Sequence, residues 1–198
     1  MPRLGFWYSV PFMAYITLKN ERLPGIVGLL DYRPETARHL NELAETLLRG
    51  PSTLTRGERE LIASSVSNWN HCHFCHSSHG AAAAAHLKTG IALLDDIKAD
   101  LKQTKISPKL RALLNIAKQV QQGGREVTEA AVKTAREQGA TDLEIHDTVL
   151  IAAAFCMYNR YVDGLGTWAP EPKEAYVETG EMLAAVGYVN FRPPAGKS

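Results

Sequence analysis

NWNHCHFCHSSHG, Asn68 to Gly80, holds two of the chain's three cysteines and four of its seven histidines. With His86 added, five histidines fall within sixteen residues. Cys72 and Cys75 are three apart and Cys75 and His79 four apart, the spacings that bring side chains onto one face of an α-helix. Helical positions three apart lie about 5 Å from one another at Cα, within the separation a disulfide tolerates. The following AAAAAHLKTG (81–90) is rich in the strongest helix former and stops at a glycine, so the cysteines fall at the start of a helix. Free backbone N–H groups and the positive end of the helix dipole favour a thiolate at such a place. His79, one turn on, is placed to act as a base or as a hydrogen-bond partner for the Cys75 sulfur.

Two other readings fit the same residues. A C-x2-C-x3-H run offers three zinc ligands, with His71, His76 or His86 as a fourth, although one helix rarely wraps a tetrahedron. A lone CxxC in a helical protein can also be incidental. Within the cluster, His73 and His76 read as solvated residues of the helix start and His86 as structural. Cys156, in the apolar run IAAAFCMY, reads as a small buried hydrophobe.

Working outward, the pattern is helical nearly throughout, and no segment sustains strand alternation. PETARHLNELAETLLRG carries Leu40, Leu43, Leu47 and Leu48 on one stripe between Pro34 and Gly50. TRGERELIASSVSNW opens with Thr55 three residues before Glu58, a capping-box spacing. Further helices fit Ile91–Leu101, Pro108–Gln122, Thr128–Gln138, a long run from Thr141 towards Gly164, and Lys173–Val186. The fold class is all-α, a helical bundle. A weak echo at a spacing of 86 residues points to two pseudo-repeated helical halves: Thr55 meets Thr141, Glu58 meets Glu144, Glu60 meets His146, and the cysteines meet Tyr158 and Tyr161.

Composition limits the partners. The chain has 198 residues, 45% apolar and 22% charged, as in an ordinary globular protein, and its net charge of +1 gives no electrostatic argument for nucleic acid or an anionic membrane. Three cysteines do not make a secreted disulfide framework. LGFWYSVPFMAYITL is apolar, but Pro11 interrupts it, no small-residue cleavage site follows, and it is too short to span a bilayer. The expectation is a cytoplasmic protein with an N-terminal arm over 1–22, a helical domain over 23–189, and a loose tail, FRPPAGKS, within 190–198. The arm's aromatic residues point to packing on the body or on a second copy, hence to a homo-oligomer.

Glu60 lies twelve positions before Cys72 and completes the pattern E-x11-C-x2-C-x3-H over Glu60, Cys72, Cys75 and His79. With GPSTLTRGERELIA before it and YNRYVDGLG after it, this motif resembles the AhpD-like alkylhydroperoxidases of the carboxymuconolactone decarboxylase superfamily, in the peroxidase-related branch, over roughly Leu23 to Val189. The resemblance implies an AhpD-like helical fold and a thiol-dependent peroxidase active in antioxidant defence. Cys75 would be the peroxidatic cysteine, Cys72 the resolving one, and His79 and Glu60 the proton relay. It implies a hydroperoxide substrate, an external dithiol reductant of lipoyl or thioredoxin-like kind, and neither cofactor nor metal. One position departs from the prototype, which carries histidine immediately before the second cysteine where this chain has Phe74; His73, one residue earlier, points about 100° away on a helix.

Downstream, Asn159, Arg160 and Asp163 interrupt an apolar helix, either as a structural polar knot or as part of the site or of an interface. Competing functions are a general disulfide oxidoreductase and a non-catalytic zinc-stabilised module. A lactone decarboxylase, also found in the superfamily, needs no cysteine pair.

Overall fold

The computed structural model describes residues 14–99 and 105–192, and every regular element among them is helical. Nine α-helices follow in order: α1 Gly25–Tyr32, α2 Pro34–Arg49, α3 Arg56–Trp69, α4 His73–Leu87, α5 Leu93–Ala99, α6 Pro108–Gln122, α7 Glu129–Glu137, α8 Asp142–Gly164 and α9 Val177–Val186. None is long and apolar enough to cross a membrane.

Local chemistry sets the helix starts. Thr55 accepts from the backbone N–H of Glu58 while the Glu58 carboxylate accepts from the Thr55 N–H at 2.8 Å, and Thr141 and Glu144 repeat this box at α8. Ser107 and Thr128 cap α6 and α7 in the simpler way. The sequence reading missed α1, whose GIVGLLDY carries two glycines and no capping side chain; packing rather than propensity holds it. The helix expected over Lys173–Val186 begins as a 3-10 turn at Lys173–Tyr176, and the one expected over Ile91–Leu101 is described only to Ala99.

The two halves of the echo fold differently at one corner. α3 ends at Asn70, His71 takes a left-handed φ of 62°, and α4 starts afresh at His73, with Cys72 as its N-cap. The matching stretch of α8, AFCMY, is made of helix-compatible residues and runs straight through. α3, α6 and α8 enclose the main core with Leu61, Ile62, Val66, Leu113, Ile116, Ile151 and Phe155. α4 lies along α3, and α9 lies along α4 on its other side. The alanine run admits α9 closely: a Cβ on Gly180 would stand 2.6 Å from the Ala81 Cβ.

Of the N-terminal arm, residues 1–13 lie outside the described residues; over 14–22 the Tyr15 N–H donates to Leu165 O, and Leu18 is buried. Phe191, in the segment read as tail, packs against the core.

Candidate active site

Glu60 projects from the second turn of α3 and His79 from the second turn of α4, so the α3–α4 pairing brings them together. His79 Nδ1 donates to Glu60 Oε2 at 2.8 Å. The Glu60 carboxylate is 1% exposed, and a buried carboxylate needs donors. Its second donor was not anticipated: Tyr188, past the end of α9, donates its hydroxyl to Glu60 Oε1 at 2.5 Å and lies 3.2 Å from His79 Nδ1. Burial beside Glu60 holds the Tyr188 phenol far above its ordinary pKa, so it stays a donor. The His79 ring stacks on Tyr188 at 5.8 Å and meets the face of Phe155 edge-on at 4.5 Å. With Nδ1 turned to Glu60, Nε2 is the nitrogen left for other chemistry.

Cys75 sits one turn before His79 on α4, and the two line the same cavity of about 80 Å³. The wall is almost wholly apolar, with Ile26, Leu30, Leu40, Phe155 and Leu183 contributing. Ser78 also faces it, and its buried hydroxyl has no partner in the protein.

Both cysteines of the pair are free thiols. Cys72 is bound to Cys75 by a side-chain hydrogen bond which, with burial, pushes the Cys72 thiol well above its ordinary pKa. From its place nearer the helix start, Cys72 is expected to lie towards solvent, where an incoming dithiol could reach it. The structure corrects this: Cys72 is 0% exposed. Val162 of α8, Tyr176 and Ala169 pack over the pair, since the chain between α8 and α9 folds back across the start of α4. That cover is fastened at Pro170 O, which lies 2.9 Å from His73 Nε2 and accepts from the Tyr176 hydroxyl at 2.9 Å.

Two of the other histidines depart from expectation. His73 is bonded to the cover rather than simply solvated. His76 is buried on α4, its Nδ1 3.1 Å from Ser64 Oγ, and burial pushes its pKa down to about 4. His86 is half-buried, and desolvation lowers its pKa. His146, opposite Glu60 in the internal echo, lies at the surface beside Asp147. Among the described residues no three His, Cys, Asp or Glu side chains are grouped so as to hold a metal ion. Phe74, at the departure position, is buried edge-on to Tyr176 and so close to α1 that a Cβ on Gly25 would stand 2.3 Å from its ring.

The polar run on α8 divides. Asn159 is a knot, donating to Ser67 Oγ at 3.0 Å and accepting from Asn70 Nδ2 at 2.8 Å, and Asn70 Oδ1 accepts from Gln121 at 2.9 Å. This chain of bonds pins the corner that presents the cysteines. Arg160 is exposed, and the Asp163 carboxyl approaches the Cys72 thiol. Tyr188 gave no local signal: a tyrosine after a helix-ending glycine is common, and only the fold brings it to Glu60.

A two-half helical bundle with a thiol pair beside a buried Glu–His dyad is the class of protein that these observations define. The family model described as carboxymuconolactone decarboxylase family matches residues 34–90 and again 91–169, and the chain belongs to that family. The two matched segments agree with the pseudo-repeated halves. Among solved structures, an uncharacterized peroxidase-related protein from Ralstonia eutropha JMP134, described as an alkylhydroperoxidase AhpD core, is similar with a TM-score of 0.71 and 28% identity over 80% of this chain and 82% of that chain. An uncharacterized peroxidase-related protein from Silicibacter sp. TM1040 is similar at 0.69 and 25% identity, covering 78% of each chain. A protein of unknown function from Agrobacterium tumefaciens shares the fold at 0.63 and 20% identity, over 75% of this chain and 99% of that one. No curated protein matches.

Proposed function

We propose that the protein is a thiol-dependent peroxidase of antioxidant defence that reduces hydroperoxides through Cys75 and Cys72. The observation that carries this reading is that Cys75 and His79 line one small apolar cavity while Cys72 is buried in the same cluster as Cys75. His79 Nε2 takes the Cys75 thiol proton, the Cys75 thiolate attacks the terminal peroxide oxygen, the O–O bond breaks, and the leaving alkoxide takes that proton back from His79, whose Nδ1–H is held by Glu60. Ser78 Oγ supplies a hydrogen bond to a peroxide oxygen in the cavity. The products are the Cys75 sulfenic acid and an alcohol. The Cys72 thiol then attacks the sulfenic sulfur, expelling water and forming the Cys72–Cys75 disulfide. An external dithiol, of lipoyl or thioredoxin-like kind, reduces that disulfide by exchange and leaves as its own disulfide.

The test is a free-thiol count before and after one equivalent of an organic hydroperoxide, with the product alcohol measured. The count should fall from three to one, with one alcohol formed per chain. Cys75→Ser should form no alcohol, and Cys72→Ser should accumulate sulfenic acid at position 75 that a selective probe labels. Oxidation only by a disulfide, never by peroxide, would favour the general oxidoreductase instead.

The assembly we propose is a homo-oligomer built on α8. Leu143, Leu150 and Met157 are 52%, 40% and 43% exposed and recur every seven residues, with the small Ala153 between the last two. A second copy would lie along this seam in an antiparallel two-fold contact centred on Leu150, with Leu143 against Met157 of the partner subunit.

A further inference from the structure

We infer that Tyr188 is a positioning residue of the Glu60–His79 relay, supplied by a segment that lies beyond the matched family domain. The family match ends at residue 169, and Tyr188 follows α9. This inference rests on the reading of Cys75 as the peroxide-reducing thiol.

The approach of Tyr188 to the site is built, not incidental. Arg49 of α2 donates to the carbonyls of Leu183 and Ala184 at the end of α9, at 3.2 and 2.8 Å, and is itself held by Glu45 at 3.1 Å. Gly187 then turns with a φ of 77°, and a Cβ there would stand 2.3 Å from Glu45 Oε2. The Tyr188 N–H donates to the same Glu45 oxygen at 2.7 Å. An ion pair on α2 thus fastens both sides of the turn that aims the phenol inward, where it is 9% exposed.

The effect on the relay follows from hydrogen-bond accounting. The Glu60 carboxylate accepts one bond on each oxygen, from His79 and from Tyr188. With both oxygens satisfied it remains an acceptor, which obliges His79 Nδ1 to carry the hydrogen and leaves Nε2 with a lone pair. Without the phenol one buried oxygen lacks a donor, and a proton takes its place. A protonated Glu60 donates to Nδ1, moving the imidazole hydrogen to Nε2, where it can no longer accept a proton from Cys75. The charged groups that act on Tyr188 are Glu60 on α3 and Arg49 and Glu45 on α2. Cys75 on α4 and Tyr158 on α8 share its cavity.

The variant is Tyr188→Phe, which keeps the ring stacked on His79 and removes only the hydroxyl. Two measurements are made on the full chain. Nitrogen-15 shifts of His79 report the tautomer without any peroxide: the wild type should show Nδ1–H, and the variant a shift towards Nε2–H. Stopped-flow sulfenic acid formation with cumene hydroperoxide should fall about tenfold at neutral pH, with a smaller deficit at alkaline pH where base forms the thiolate. An unchanged tautomer in a folded variant overturns the inference whatever the activity. A shifted tautomer in a protein inert to peroxide overturns the peroxidase reading and leaves the positioning of His79 standing. A fall in rate that is equal at every pH, with the tautomer unmoved, assigns Tyr188 to packing alone.

Discussion

His79 and Glu60, nineteen residues apart in sequence, meet across the α3–α4 interface with Nδ1 2.8 Å from Oε2. The bond fixes which imidazole nitrogen is turned away from the carboxylate, and every step assigned to the histidine depends on that. His79→Ala should slow sulfenic acid formation at Cys75 on the order of 100-fold at neutral pH, and Glu60→Gln by less, because the amide still accepts from Nδ1. Both deficits should shrink as pH rises. Stopped-flow rates from pH 6 to 10 test this, and deficits independent of pH would remove the relay from the mechanism.

His76 sets a separate dependence on pH, in stability. Its pKa is pushed from 6.5 to about 4 by burial, so between those values the unfolded chain binds more protons than the folded one. The contribution of neutral His76 is complete above pH 6.5 and is lost as pH falls towards 4, amounting to about 3 kcal/mol. Urea denaturation at pH 7 and pH 4.5 should show that loss, and His76→Gln should reduce the difference between the two pH values. A variant with the wild-type difference would place the acid sensitivity elsewhere.

The cover over the cysteine pair makes a kinetic prediction. His73→Ala removes one of the two bonds that hold Pro170 O, leaving that of Tyr176. Reduction of the oxidised pair by a small dithiol should then speed up roughly two- to tenfold, while the peroxide step, which takes place on the cavity side, stays as it was. Equal acceleration of both steps would mean that the two reagents share one entrance.

The proposed α8 contact is tested by charge. Leu150→Glu sets two carboxylates at the two-fold axis and should weaken association at least ~100-fold by sedimentation equilibrium. Leu143→Glu should also weaken it, because it stands against Met157 of the partner subunit at both ends of the seam. A wild-type monomer at tens of micromolar would dismiss the contact.

The all-α class, both capping boxes and the long α8 were legible in sequence because each rests on residues a few positions apart, where period and caps decide. Cys72, Cys75 and His79 were legible as one cluster because they share a helix start, whereas Glu60 joined them only through the motif's resemblance to a known family. Burial was not legible. His76 reads as a polar residue of a first turn, yet α3 and its Ser64 cover it; Cys72 reads as the outward member of its pair, yet the chain between α8 and α9 returns over it. Tyr188 lies 128 residues from Glu60, and no local pattern encodes a contact of that range.

The corner at 70–72 carries a constraint of its own. Asn70 is tied to Asn159 and Gln121, His71 supplies the left-handed step, and Cys72 opens α4. A residue added to or removed from that corner must either break the Asn70 ties or shift α4 by one position, and such a shift turns its side chains by about 100° and carries Cys75 and His79 away from Glu60. The identity of residue 71 can vary towards glycine or asparagine, which accept its backbone. The number of residues there cannot vary, so the phase of one helix against the next, rather than the chemistry of the loop, is what an insertion would destroy.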